Sequence, residues 1–223
     1  MDFRLFFEAV VKFLLGVLFT GLLLFIPANS LEYHNGFLFM GLLFIPMFIF
    51  GLYLFFKNTD LLRYRLDARE KESEQKWVLL LSALMFVIGF ILAGLNYRYK
   101  WTEVADIVVI FSSIIFVIAY ILYGEVLREN TFLLRTIEVT DNQKVIDTGL
   151  YSIVRHPMYL ITIVLFLVMP LILGSFVSFL VFLVYPFIIV KRIKNEEAVL
   201  EKNLKGYKEY EKKVKYRLIP FVW

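Results

Sequence analysis

Two clusters of residues in this chain could do chemistry, and a long stretch without a single charge separates them. The first runs from Asp147 through Gly149, Tyr151, Arg155, His156, Pro157 and Met158 to Tyr159; the second runs from Lys191 through Arg192, Glu196 and Glu197 to Leu200. Pro157 suits the first position of a helix, where its missing N–H is no loss. Arg155 and His156 are therefore expected at a helix N-terminus, an environment that favours anions. Arg192 and Glu196 are four residues apart and share one helix face. Together the clusters offer a cation for an acid and an anion for a cation. Singly, each residue has a plainer role. Arg155 could be a membrane-surface anchor, His156 a helix cap, Arg192 and Glu196 an exposed salt bridge, and Tyr151 and Tyr159 part of an aromatic belt. With no Cys and only His34 and His156, the chain has no thiolate nucleophile, disulfide or Cys-ligated zinc, and no metal site is expected.

The elements that must position these clusters are membrane helices. Of 223 residues, 60% are hydrophobic, well above the roughly 45–50% of soluble domains, and the mean hydropathy is +0.73. A soluble fold and disorder are both excluded on composition. About 20 apolar residues cross a bilayer core, and four stretches approach that length: 13–27, 37–56, 77–95 and 107–124. The first begins near Ala9 if Lys12 snorkels. Its acidic residues Asp2 and Glu8, and the lack of a small-residue cleavage site after Pro27, argue against a signal peptide. The stretch Met158–Val190 holds 33 residues without a charge, which is about 50 Å of helix and too long for one upright span. Gly174 and Ser175 at its midpoint offer a turn, so a helical hairpin is expected, with Pro170 and Pro186 bending its arms. Its two ends then emerge on one membrane face and bring the clusters together.

Ten basic residues lie in 191–223, whereas the stretches 28–35 and 96–103 carry only Arg98 and Lys100. By the positive-inside rule both termini are expected in the cytoplasm. The fold class is thus an all-α polytopic membrane bundle of about six transmembrane arms, the last two forming the hairpin. Residues 1–130 read as four N-terminal spans, and 131–223 as the functional core with a cytosolic tail.

Gly149-Leu150-Tyr151, Arg155-His156-Pro157-Met158-Tyr159, the hydrophobic hairpin, Glu196-Glu197 followed by Leu200, and Tyr207, Tyr210 and Val214 leading to Arg217-Leu218-Ile219-Pro220 occur in this order. The pattern resembles the C-terminal half of the isoprenylcysteine carboxyl methyltransferase family, and the related phospholipid methyltransferases share much of it. The resemblance covers about residues 135–223 and implies an integral membrane methyltransferase dependent on S-adenosylmethionine. It implies that Gln143, Lys144, Val145, Ile146, Tyr151, His156, Pro157, Met158, Tyr159 and Glu196 hold the cofactor and that Arg192 holds the substrate carboxylate. Three positions depart from the family pattern. Leu150 replaces a usual Pro, Ile161 replaces a small residue and alters the pocket wall, and Leu204-Lys205-Gly206 replaces a Phe-Gly with shifted spacing.

A carboxylate acceptor is ionised near pH 7 and needs no base; Arg192 would aim it. An amine acceptor must lose a proton, and His156 is then the candidate base. The acceptor is expected to be a lipid or prenylated molecule reaching a site on the cytoplasmic face from the bilayer; no nucleic-acid partner is expected. A phospholipid N-methyltransferase is the nearest alternative. A membrane lipid or steroid reductase using NADPH also carries an Arg-His-Pro-x-Tyr element, but with Asn where this chain has Met158 and a Phe-Gly-Glu where it has Leu160-Ile161-Thr162. A transporter is disfavoured because the spans contain almost no ionisable residue.

Overall fold

The structure is a computed structural model and describes residues 3–66, 73–130, 132 and 143–223. These residues form helices, turns and irregular backbone, with no strand among them. Among the described residues nine α-helices follow one another: α1 (Phe3–Ala28), α2 (His34–Lys57), α3 (Thr59–Leu66), α4 (Ser73–Tyr99), α5 (Asp106–Glu129), α6 (Pro157–Ile172), α7 (Phe176–Phe182), α8 (Tyr185–Asn203) and α9 (Tyr207–Lys213). Among the described residues, α1, α2, α4, α5 and the run 176–203 are long and apolar enough to cross a membrane, and α6 is a shorter apolar helix. Helices are the spanning form available here because lipid cannot satisfy backbone polar groups. Large apolar side chains cover the outside of the bundle, including Phe7, Leu18, Ile49, Ile88 and Ile121. That is the surface a lipid solvent requires.

The helices are longer than the apolar runs alone imply. α1 begins at Phe3 rather than near Ala9, because Lys12 is satisfied from within the protein: its Nζ donates to Glu8 Oε1 at 2.6 Å and to the Leu66 carbonyl of α3 at 2.8 Å. α3 lies between the second and third apolar stretches. Small residues bring the helices close. A Cβ on Gly94 of α4 would stand 2.4 Å from the Leu24 carbonyl of α1, and one on Gly89 would stand 2.3 Å from the Phe182 ring of α7.

The expected hairpin forms. α6 packs chiefly on α5, turns at Leu173–Ser175, and returns as α7 and α8. Gly174 has φ +74°, a conformation that glycine adopts at little steric cost. Polar side chains from other segments tie the turn down. Tyr33 Oη donates to the Leu173 carbonyl at 2.6 Å, Asn96 Nδ2 to the Gly174 carbonyl at 3.2 Å, and the Phe176 N–H to Thr102 Oγ1 at 3.2 Å. Pro186 does not bend a continuous arm as expected. The helix stops at Phe182 and restarts at Tyr185, which places Pro186 in the first turn of α8, where no N–H is lost. The central core runs from Phe39 and Phe116 through Ile172 and Phe182 to Ile193 and Leu218, so the tail after α9 is part of the same body.

Candidate active site

The two ends of the hairpin meet. Pro157 occupies the first turn of α6 with His156 as its N-cap, and the His156 side chain makes no capping bond. The backbone before it pairs with the tail, the Arg155 N–H donating to the Tyr216 carbonyl and the His156 N–H to the Arg217 carbonyl, both at 2.9 Å. From α8, Arg192 Nε donates to Tyr159 Oη at 2.8 Å, and Tyr159 Oη donates in turn to Glu196 Oε2. Arg192 and Glu196 do share a face, but they form no exposed salt bridge. Arg192 is buried, and the phenol of Tyr159 bridges the two.

Glu197, given no role by sequence reasoning, is the electrostatic centre. It is 3% exposed. Its Oε1 accepts from Arg155 Nε at 2.9 Å, from Arg155 Nη2 at 2.8 Å and from His156 Nε2 at 3.2 Å; its Oε2 accepts from Arg217 Nε at 2.6 Å. Arg155 also donates to the carbonyls of Val214 and Lys215 at 3.0 and 3.1 Å. Arg155 is therefore a buried clamp and not a membrane-surface anchor. The signal that could have revealed this is the doubled Glu. Neighbouring helical residues point about 100° apart, so Glu196 faces Arg192 one turn back while Glu197 continues the buried row of Ile189 and Ile193.

A cleft lies beside this cluster. Gln143, Lys144, Val145, Ile146, Tyr151, His156, Met158, Tyr159, Arg192 and Glu196 all line it, and of the residues that the resemblance assigns to cofactor or substrate only Pro157 does not. Asn130, Phe132, Arg155, Leu200, Leu204, Tyr207 and Tyr210 complete the wall. α9 is pinned over it. Tyr210 Oη donates to the Tyr151 carbonyl at 2.7 Å, and Lys213 Nζ pairs with Asp147 at 2.6 Å, a contact that lowers the Asp147 carboxyl below its ordinary pKa. Burial raises the phenols of Tyr151 and Tyr207 far above theirs, and the nearby carboxylates of Glu197 and Glu196 push Tyr207 further. Both hydroxyls are buried without a hydrogen-bond partner among the described residues.

The cleft volume is about 90 Å³, below the roughly 300–1,000 Å³ of ligand pockets, so a large cofactor must widen it. A second cavity of about 750 Å³ lies between α1, α2, α3 and α5, with walls that include Phe13, Phe50, Ile121 and Leu127. Leu127 stands one helical turn before Asn130 of the polar cleft. Among the described residues, no group of three His, Asp or Glu could hold a metal ion.

The described residues thus form a polytopic helical bundle with Arg192, Tyr159 and Glu196 hydrogen-bonded in series at the mouth of a helical hairpin. Residues 107–202 match the model of the isoprenylcysteine carboxyl methyltransferase (ICMT) family. The chain is also similar to mouse (Mus musculus) Delta(14)-sterol reductase TM7SF2, 29% identical over 117 residues. That similarity takes in 47% of this chain, and the chain spans about 28% of the reductase's length.

Proposed function

We propose that the protein transfers a methyl group from S-adenosylmethionine to a lipid or lipidated acceptor, with carboxyl O-methylation as the leading reaction. The observation that carries this reading is the convergence of ten motif residues on one cleft whose polar wall holds Glu196 and Arg192 joined through Tyr159. The donor set suits the cofactor. Glu196 can hold a cationic or hydroxyl-bearing part, and two buried phenols have hydrogen bonds to offer. When bound, the cofactor supplies an electrophilic methyl on a sulfonium.

The residues do the rest by position. Arg192 aims an ionised acceptor carboxylate, and Tyr159 fixes the guanidinium relative to Glu196, so catalysis rests on proximity and orientation. With a carboxylate acceptor no proton has to leave. His156 would be the base for an amine: its Nε2 is held by Glu197, which orients the ring and leaves Nδ1 for that role. We assign the apolar 750 Å³ cavity as the space through which the acceptor's hydrocarbon part lies in the bilayer half beside the site. The basic tail after α8 supports a cytoplasmic site with both termini on that side. On this reading residues 1–130 form the lipid-facing scaffold and 131–223 the catalytic core.

The likeness to the sterol reductase supports a second reading, reduction of a lipid double bond with NADPH. Membranes containing the protein, incubated with methyl-labelled S-adenosylmethionine and extracted, separate these possibilities. Label in a base-labile ester supports carboxyl transfer, and label in a stable headgroup supports N-methylation. Absence of label, with thermal stabilisation by NADPH and not by S-adenosylmethionine, would support the reductase.

A further inference from the structure

We infer that Tyr207 is a further cofactor-binding residue and that its hydroxyl donates to the polar edge of the bound adenosyl group. The inference rests on the methyltransferase reading above. Tyr207 opens α9 directly after Gly206, lines the cleft and is 4% exposed, yet its hydroxyl has no hydrogen-bond partner among the described residues. Such orphans are rare in folded proteins and call for a reason. Tyr151 carries the other such hydroxyl of the cleft, with the Asn130 side chain beside it, whereas the neighbouring Tyr210 donates to the Tyr151 carbonyl. The Tyr207 ring packs with Leu204, Tyr210, Val145 and Leu200, while the carboxylates of Glu197 and Glu196 lie toward its hydroxyl and the Arg192 end of the cleft is charged. An apolar wall with one unspent donor suits a planar nitrogen heterocycle, whose faces are apolar and whose edge accepts hydrogen bonds. The charged end is left for the amino-acid part and the reacting methyl.

The feature separates binding from folding. A hydroxyl with no partner in the free protein costs nothing to remove, whereas one that bonds only to ligand is missed only when ligand binds. Tyr207→Phe should melt at or above the wild-type temperature without ligand. It should bind both S-adenosylmethionine and 5′-methylthioadenosine, which has the adenosyl group but no amino acid, about three- to tenfold more weakly by calorimetry. Tyr210→Phe is the contrast: it loses a bond already made and should melt lower. Equal affinity of Tyr207→Phe and wild type for both ligands would overturn the assignment of Tyr207 alone. So would a melting loss in Tyr207→Phe equal to that of Tyr210→Phe. If the wild-type protein binds neither ligand, the methyltransferase reading fails and takes this inference with it.

Discussion

Replacing Glu197 with alanine removes the acceptor of four hydrogen bonds at a site 3% exposed and leaves Arg155, itself 7% exposed, without its carboxylate. Breaking a buried ion pair from one side costs about 3–5 kcal/mol, because the remaining charge stays desolvated. Two features place this case at the lower end. Arg155 keeps the carbonyls of Val214 and Lys215 and has Glu211 at 3.5 Å, and the Arg217 side chain is 35% exposed and can turn to water. A loss of about 3 kcal/mol lowers the melting temperature of a chain this size by about 6–12 °C. Glu196→Gln is the internal control. Glu196 is half-buried and accepts one bond, from Tyr159, so its loss should cost about 1 kcal/mol while removing the charge proposed to hold the cofactor. Melting both variants in one detergent, with and without S-adenosylmethionine, separates the roles. Glu197→Ala should unfold early, and Glu196→Gln should unfold near the wild-type temperature but lose the cofactor-induced shift. If Glu197→Ala melts within about 2 °C of wild type, or if Glu196→Gln is the less stable of the two, the division between a structural and a ligand-binding glutamate is wrong.

Calorimetry should find that Glu196→Ala no longer binds S-adenosylmethionine, whereas Arg192→Ala binds it but does not turn over; normal affinity in the first variant would sink the assignment. Gly94→Ala forces a Cβ to 2.4 Å from the Leu24 carbonyl and should destabilise by about 1–3 kcal/mol. Gly51→Ala meets nothing within 4 Å inside α2 and should be neutral or stabilising by up to about 1 kcal/mol, so equal melting shifts for the pair would contradict the close α1–α4 packing. Because the chain has no cysteine, single substitutions test the topology directly. With an impermeant maleimide, Ser30→Cys and Lys208→Cys should label from opposite sides of sealed vesicles, and labelling from the same side would refute the proposed orientation.

Much of the site was legible because its residues lie in two short sequence-local motifs. Pro157 announces a helix start through its own covalent geometry, and the spacing of Arg192 and Glu196 puts both on one helical face regardless of surroundings. The hairpin was legible for a similar reason, since an uncharged stretch too long for one span with glycine at its centre has few ways to sit in a bilayer. Glu197 was not legible. Its partners Arg155, His156 and Arg217 lie 42, 41 and 20 residues away, and nothing local distinguishes a buried glutamate from the half-buried one beside it. The orphan state of the Tyr207 hydroxyl was equally hidden, because being unpartnered is a property of everything around the residue.

The apolar runs and their lengths determine a helical membrane bundle by themselves, since each span must satisfy its backbone internally whatever it packs against. Local spacing likewise determines which side chains share a face. What only the tertiary structure decided is where each charge is placed and which segments it joins. Burial and pairing depend on distant segments: Arg155 and Glu197 fasten the tail to the start of α6, and Arg192, Tyr159 and Glu196 line the cleft. The charges look alike in the sequence, and the packed tail separates them by deciding where water and ligand are excluded.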